Sequence, residues 1–338
     1  MPNLTLWRWP PSGSSTLITM VMNCRPCLPA YSRRRRPAAG GERSATRPLS
    51  PALRRAWRRL PLLLVLCLLP LGLSARTTAE RHGWRLAVQS YTYHTVPFVD
   101  ALRHTRSLGV KYIEIYPGHQ LGGPWGKTAF GPETDRATAR ELARYALRQG
   151  VRIVGTGVLA SDRDEDYVKL FRLAHDMRLS YVTCEPLLRQ WPLVDSLARH
   201  YGLRVAVHNH PKPSLYWQPQ ALLDAIGKLG PHVGSCADVG HWRREGMSAL
   251  DCLRQLNGRI ISLHFKDIVA GEGGAKGYHD TVWGQGILDM PALLAELKAQ
   301  HFKGYLAIEY EYHWGQADDE IRQSIDAFNA QCDALWAR

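Results

Sequence analysis

From residue 85 onward, hydrophobic and polar positions follow a repeating order. A short apolar run gives way to a polar loop, then to a stretch whose apolar residues recur every three or four positions. The interval is roughly 30 residues, the length of a strand and its crossover helix. The runs are RLAVQSY (85–91), VKYIEIY (110–116), VRIVGTGV (151–158), SYVTCEP (180–186), RVAVHNH (204–210), VGSCADVG (233–240), RIISLHFKD (259–267) and YLAIEYEY (305–312). Each predicts a β-strand. The stretches 97–108, 134–149, 164–177, 191–201, 218–229, 247–257, 290–301 and 318–336 predict amphipathic helices. Gly109, Gly150, Gly202 and Gly230 stand just ahead of the next run, where a helix end favours a residue free to take positive φ.

Strands alternating with helices imply a parallel sheet. Eight such units within residues 81–338 match a (β/α)8 TIM barrel, which typically needs ~250 residues. A doubly wound nucleotide-binding sheet is the alternative, but no GxGxxG follows the first strand. The longest loops, 117–133 and 268–288, follow the second and seventh strands, on the face where such barrels build their sites.

That face collects ionisable residues. Glu114, Glu185, His208, His210, Asp238, His264, Lys266, Glu309 and Glu311 all lie at or just past the C-terminal ends of predicted strands. Period-two alternation separates inward from outward positions. Thr183, Ala206, Cys236, Gly234, Ser262, Ile260 and Ala307 precede the inward-facing members and suit a crowded barrel interior. Val182, Val205, Val207, Leu263, Leu306 and Ile308 suit packing against helices. Glu185, His208, Asp238, His264 and Glu309 are therefore expected to converge. Three unneutralised carboxylates facing one another would cost several kcal/mol, and a divalent cation removes the conflict. Glu185, Asp238, His264 and Glu309 form a mixed O/N donor set suited to one Mn²⁺, with Mg²⁺, Co²⁺, Zn²⁺ or Fe²⁺ as alternatives. Strand-end ion pairs would explain any one of these residues, but not the set.

The charge of the chain changes the picture little. Its 338 residues carry a formal net charge of +13. Most of that excess lies in the arginines of the first 80 residues, and the remainder is close to neutral. The barrel thus has no basic stripe for a nucleic acid. Arg54, Arg55, Arg58 and Arg59 precede LPLLLVLCLLPLGL (60–73) and the small residues Ser74 and Ala75. This order predicts a signal peptide over 54–75, cleavage near Arg76, and an exported protein that meets the membrane only in transit. An uncleaved anchor is the alternative, although the run is short for a span. Residues 1–53, rich in Arg, Pro, Ser and Gly, predict a disordered leader, compatible with a start codon assigned too far upstream. The 7 cysteines imply no disulfide framework, and Cys24 and Cys27 lack the second pair of a zinc site.

GLRVAVHNHP, CADVGHW, RIISLHFKD, HDTVWGQGILD and GYLAIEYEY, in this order, resemble the xylose isomerase-like TIM barrels of the sugar phosphate isomerase/epimerase superfamily, over roughly 85–335. The resemblance implies a divalent metal held by Glu, Asp, His and Glu, the last three matching Asp238, His264 and Glu309. The first Glu usually stands on the fifth strand, where this chain has His208; the available carboxylate is Glu185 on the fourth. A His-rich fifth strand resembles inosose dehydratase and related keto-sugar lyases, and argues against simple two-Glu epimerisation.

The resemblance implies a small carbohydrate substrate and an enediolate route to isomerisation, epimerisation or elimination. His208 and His210 are then candidate acid/base groups or auxiliary ligands, Glu185 and Glu309 a carboxylate pair, and Lys266 a cation for the enediolate. Glu114, His241, His279 and Trp283 are expected to contact substrate, Trp283 by stacking. Two rival readings remain: a metal-loaded barrel that only binds sugar, and an endonuclease-IV-like DNA repair enzyme, disfavoured by the near-neutral barrel. Oligomeric state is not legible.

Overall fold

The computed structural model of the protein describes residues 76–272 and 274–337. The expected leader, the signal peptide, the Cys24–Cys27 pair and Cys67 lie outside the described residues. All eight apolar runs become strands: β1 (Trp84–Gln89), β2 (Tyr112–Ile115), β3 (Arg152–Leu159), β4 (Tyr181–Cys184), β5 (Arg204–His208), β6 (Val233–Asp238), β7 (Ile260–Phe265) and, after the short β8 (Asp267–Ala270) and β9 (Tyr278–Thr281), β10 (Gly304–Ile308). The eight long-range partners close into one parallel barrel in the order β1-β10-β7-β6-β5-β4-β3-β2. The eight predicted helices form within two or three residues of their expected ends, from Phe98–Ser107 to Asp318–Trp336. Their ends follow local chemistry: the Asp135 carboxylate accepts from the N–H groups of Ala137 and Thr138, and Gly202 closes Trp191–Tyr201 at φ 64°. Among the described residues, no helix is long and apolar enough to cross a membrane.

Two apolar layers result. Val182, Val205, Val207, Leu263, Leu306 and Ile308 pack outward into the core shared with the helices. Tyr181, Ala206, Cys236 and Ala307 fill the barrel interior with Ala87, Val154, Ile261 and Tyr305. One expectation is reversed: Ile261, not Ile260, points inward. Ser235 pairs with Ile260 and Cys236 with Ser262, so Ile261 is an extra residue in β7 and flips the alternation at that point. The rest of β7 keeps its parity, and His264 still reaches the interior.

The loop after β7 is a structured hairpin in which β8 and β9 pair antiparallel, Asp267 opposite Thr281. Asp267 anchors it. Its carboxylate accepts from the backbone N–H groups of Ile268, Gly284, Gly286 and Leu288 at 2.9–3.1 Å. A Cβ at Gly286 would lie 2.1 Å from the Asp267 carboxylate, so the WGQG turn needs glycine there. The Asp of HFKD and the glycines of WGQG are one structural unit that fixes the hairpin over the barrel mouth.

Candidate active site

Four strand ends deliver four donor atoms to one point. The donors come from His208 (β5), Asp238 (β6), His264 (β7) and Glu309 (one residue past β10), and lie within 4.8 Å of one another, all on buried residues. Asp238 serves two functions. One oxygen, Oδ1, accepts from His241 N–H at 2.7 Å and caps the helix Val239–Arg244. The other, Oδ2, stands 3.6 Å from His208 Nε2 and 3.6 Å from His241 Nε2. His264 Nδ1 is 3.2 Å from Glu309 Oε2. Asn209 points away from the cluster, its side chain clamping the Asp238 backbone through Nδ2 to the carbonyl (3.0 Å) and Oδ1 from the N–H (2.8 Å).

The imidazoles are oriented from behind. His208 Nδ1 faces Glu185 Oε1 at 3.1 Å, which leaves Nε2 for the cluster. His264 Nε2 faces Glu114 Oε1 and Gln89 Nε2, both at 3.4 Å, which leaves Nδ1. His208 Nε2, Asp238 Oδ2 and His264 Nδ1 are buried and make no well-aligned hydrogen bond, although the last two have ionic neighbours in Lys266 and Glu309. Buried polar donors turned to one point, on side chains braced by carboxylates, fit a divalent cation. The N₂O₂ donor set suits a borderline first-row ion.

Lys266 complicates the charge balance. Its ammonium is fully buried, 3.1 Å from Asp238 Oδ2 and 2.8 Å from both Glu309 Oε2 and Glu311 Oε2. Burial opposes its charge, but Asp238, Glu309 and Glu311 together hold its pKa well above the usual lysine value. Burial likewise opposes ionisation of Glu309, and Lys266 with His264 overcomes it. A Cβ at Gly240 would come within 2.4 Å of the Lys266 stem, so the glycine of DVGH is the space this lysine occupies. Beyond it, Arg244 reaches Glu311 at 3.1 Å and Asp280 of the hairpin at 2.6 Å. Burial pushes the Asp280 carboxyl up to about 7, with Glu311 adding to the rise and Lys266 and Arg244 opposing it.

Glu185, expected among the ligands, lies outside the four-donor group, and His208 lies within it. Glu185 sits one layer back, accepting from Ser214 Oγ at 2.7 Å and bonding His210 Nδ1 at 2.5 Å as well as His208. Its carboxylate stands beside the fifth-strand imidazoles, held there by its bonds to His208, His210 and Ser214. Burial opposes its charge, but the two imidazoles hold its carboxyl well below the usual range. His210 stands at the mouth, its side chain 48 % exposed.

The expected substrate contacts divide. His241 is at the site, its ring 5.5 Å from that of His208, with burial keeping it neutral. Glu114 is fully buried beneath His264, accepting from Tyr181 Oη at 2.7 Å, and braces that histidine from below. Trp283 is buried against Phe265 and Phe328, because its large apolar surface is drawn into the helix layer, and no face is left for stacking on a ligand. His279 lies on the hairpin, stacked on Tyr312 at 4.2 Å. Sequence reasoning missed Gln89, Tyr91 and Arg244. Gln89, two residues past the interior Ala87, was detectable from strand parity. Arg244 was not, since its partners Asp280 and Glu311 are remote in sequence.

The family model of xylose isomerase-like TIM barrels matches residues 102–331. Among solved structures, an uncharacterized protein from Parabacteroides distasonis ATCC 8503 is 33 % identical, with TM-score 0.60, over 73 % of this chain and 98 % of that one. An L-ribulose 3-epimerase shares 14 % identity at TM-score 0.59, over 75 % of this chain and 96 % of its own. The probable 3-DHS dehydratase AsbF, involved in petrobactin synthesis in Bacillus anthracis, shares 16 % at TM-score 0.56, over 72 % of this chain and 98 % of its own. These last two likenesses are of fold. A comparison with curated protein sequences gave no match.

Proposed function

Because this chain belongs to the xylose isomerase-like TIM barrel family, with its sugar isomerase/epimerase-like members, we propose that it is a divalent-metal-dependent enzyme acting on a sugar or keto-sugar. The reaction class is proton transfer at a carbon beside a carbonyl, through an enediolate, with elimination of a β-substituent favoured over epimerisation. The observation that carries this reading is the convergence of His208, Asp238, His264 and Glu309, whose four buried donor atoms lie within 4.8 Å of one another.

His208, Asp238, His264 and Glu309 would hold the ion, Mn²⁺ foremost. When bound, it supplies Lewis acidity that polarises the carbonyl and acidifies the neighbouring C–H. The other roles belong to the protein. His210 has Nδ1 engaged by Glu185, so Nε2 is its exchangeable nitrogen, on a half-exposed ring. It holds or delivers the proton at the substrate, in the manner of an imidazole oriented by a carboxylate. Lys266 places a fixed positive charge beside Glu309, where negative charge on the substrate oxygen would develop. His241, neutral, offers a hydrogen bond to a hydroxyl. A histidine in the position of the first epimerase carboxylate, with a separate His210–Glu185 dyad, supports protonation of a leaving oxygen. From the 54–75 segment we further infer an exported mature protein.

The test follows the proton. Protein stripped with EDTA and reconstituted with Mn²⁺ is incubated with ketoses and keto-glycosides in D₂O. Deuterium should enter the carbon next to the carbonyl only when the ion is present, with about one ion per chain by elemental analysis. Exchange at full rate in metal-free protein would overturn the reading.

A further inference from the structure

The rim above β2, β1 and β10 carries an aromatic wall that the proposed chemistry does not use. Tyr91 follows β1 and packs edge-on against Tyr116, just past β2, with ring centres 5.2 Å apart and planes at 82°. On its other side Tyr91 meets Trp314, beyond β10, at 6.0 Å and 82°. His94 stacks on Tyr91 at 4.6 Å and meets Trp314 edge-on at 4.4 Å. The inner end of the wall adjoins the site: β1, which leads into Tyr91, pairs with β10, Val88 beside Ile308, the residue before Glu309. The outer end is open. Trp314 is 41 % exposed, the one aromatic among the strongly exposed large apolar side chains of the described residues.

An indole left partly in water beyond the strand ends, held edge-on by a tyrosine and a histidine, contributes little to the core and can offer a π face to a ligand. Its neighbours have polar edges, the Tyr hydroxyls and the His nitrogens. That combination suits a ring with an apolar face and polar periphery better than an acyl chain. His210 and His241 stand over β5 and β6, across the mouth from this wall. A ring that reacts between His210 and Lys266 would therefore have its substituent directed over β1 and β10.

Resting on the sugar-site reading above, we propose that the Tyr91–Tyr116–Trp314 wall is a second subsite that takes the second ring of a glycoside. The protein's substrates are then two-ring sugars rather than free monosaccharides. Shared chemistry admits either a second pyranose or an aryl group as that ring, and the probes separate them.

The experiment measures affinity by calorimetry on the Mn²⁺-loaded full chain. One-ring probes are D-fructose and methyl β-D-glucopyranoside; two-ring probes are lactulose, cellobiose and 4-nitrophenyl β-D-glucopyranoside. At least one two-ring probe should bind roughly 3- to 10-fold more tightly than its one-ring counterpart, as one stacking contact provides. Trp314→Ala should bring that ratio close to one, while Trp314→Phe keeps most of it. Because Trp314 is exposed, the variant should fold, and an unchanged melting curve verifies this. A pyranose second ring is indicated if lactulose or cellobiose gains, an aryl group if only the nitrophenyl glucoside does; either supports the subsite. One-ring binding with no two-ring advantage, or an advantage that survives Trp314→Ala, overturns the subsite and leaves the sugar site standing. No binding by any probe overturns both.

Discussion

Replacing Lys266 by methionine tests the charge balance at the centre of the barrel. The substitution keeps the volume and removes the ammonium. In the wild type, that ammonium lies 2.8–3.1 Å from Asp238, Glu309 and Glu311, with no exposure to solvent. At an effective dielectric of ~20, each such pair is worth about 5–6 kcal/mol before desolvation is subtracted. Desolvating the ions offsets most of that sum, so the net worth of the lysine is far smaller. Removing one partner, however, leaves buried carboxylates without compensation, a change that typically costs about 3–5 kcal/mol. In EDTA, urea unfolding of Lys266→Met should show a loss of that order relative to wild type. Mn²⁺ at a hundredfold excess over its dissociation constant should return ~2.7 kcal/mol, because it binds the folded cluster alone. The variant should also bind Mn²⁺ more tightly than wild type, having lost a competing cation, yet turn over at least 10²-fold more slowly. A metal-free variant within about 0.5 kcal/mol of wild type would refute the charge argument. So would a destabilised variant that Mn²⁺ does not rescue.

The histidines of HNH should separate by metal content: His208→Asn is expected to lose the ion and activity together, whereas His210→Asn keeps the ion and loses about 10²–10⁴ in kcat. Equal metal loss in both would remove the distinction between ligand and acid/base group. His119 gives a pH dependence away from the site. Burial lowers its pKa to about 4, the bond to the Val96 carbonyl opposing and His94 adding to the fall, so the folded protein keeps it neutral. The unfolded chain takes up the proton first, so this part of the stability is present above pH ~6.5 and is lost as pH falls toward 4, with ~2 kcal/mol gone at pH 5. Urea midpoints at pH 7.5 and 5.0 should show that increment in wild type and not in His119→Gln; identical pH dependence in both would count against it. Edman sequencing of exported protein should begin near Arg76, and a mature chain that retains residues 1–60 would contradict the export reading.

The barrel was legible in the sequence because its two periods are local. Apolar alternation marks each strand and 3.6-residue recurrence marks each helix, whatever lies elsewhere in the chain. Strand parity likewise pointed His208, Asp238, His264 and Glu309 to the interior, where their donor atoms meet, but it pointed Glu185 there equally. The same logic failed at Ile260 and Ile261, where one inserted residue in β7 reverses the alternation without any mark in composition.

What the tertiary structure decided was which neighbours each ionisable group acquired. Glu185 and His208 both end strands, but only strand stagger could show that the imidazole reaches the donor cluster and the carboxylate braces it from behind. Lys266 was visible as a cation at the mouth, yet its contact with three carboxylates depends on Gly240 leaving room for its stem. Trp283 was expected at a ligand and is in the core, because a loop residue's orientation follows from the hairpin that Asp267 anchors. Sequence patterns report periodicity, which is a property of neighbours along the chain. Coordination, charge pairing and burial of a loop side chain depend on groups tens to hundreds of residues away, and those distances are set only when the barrel closes.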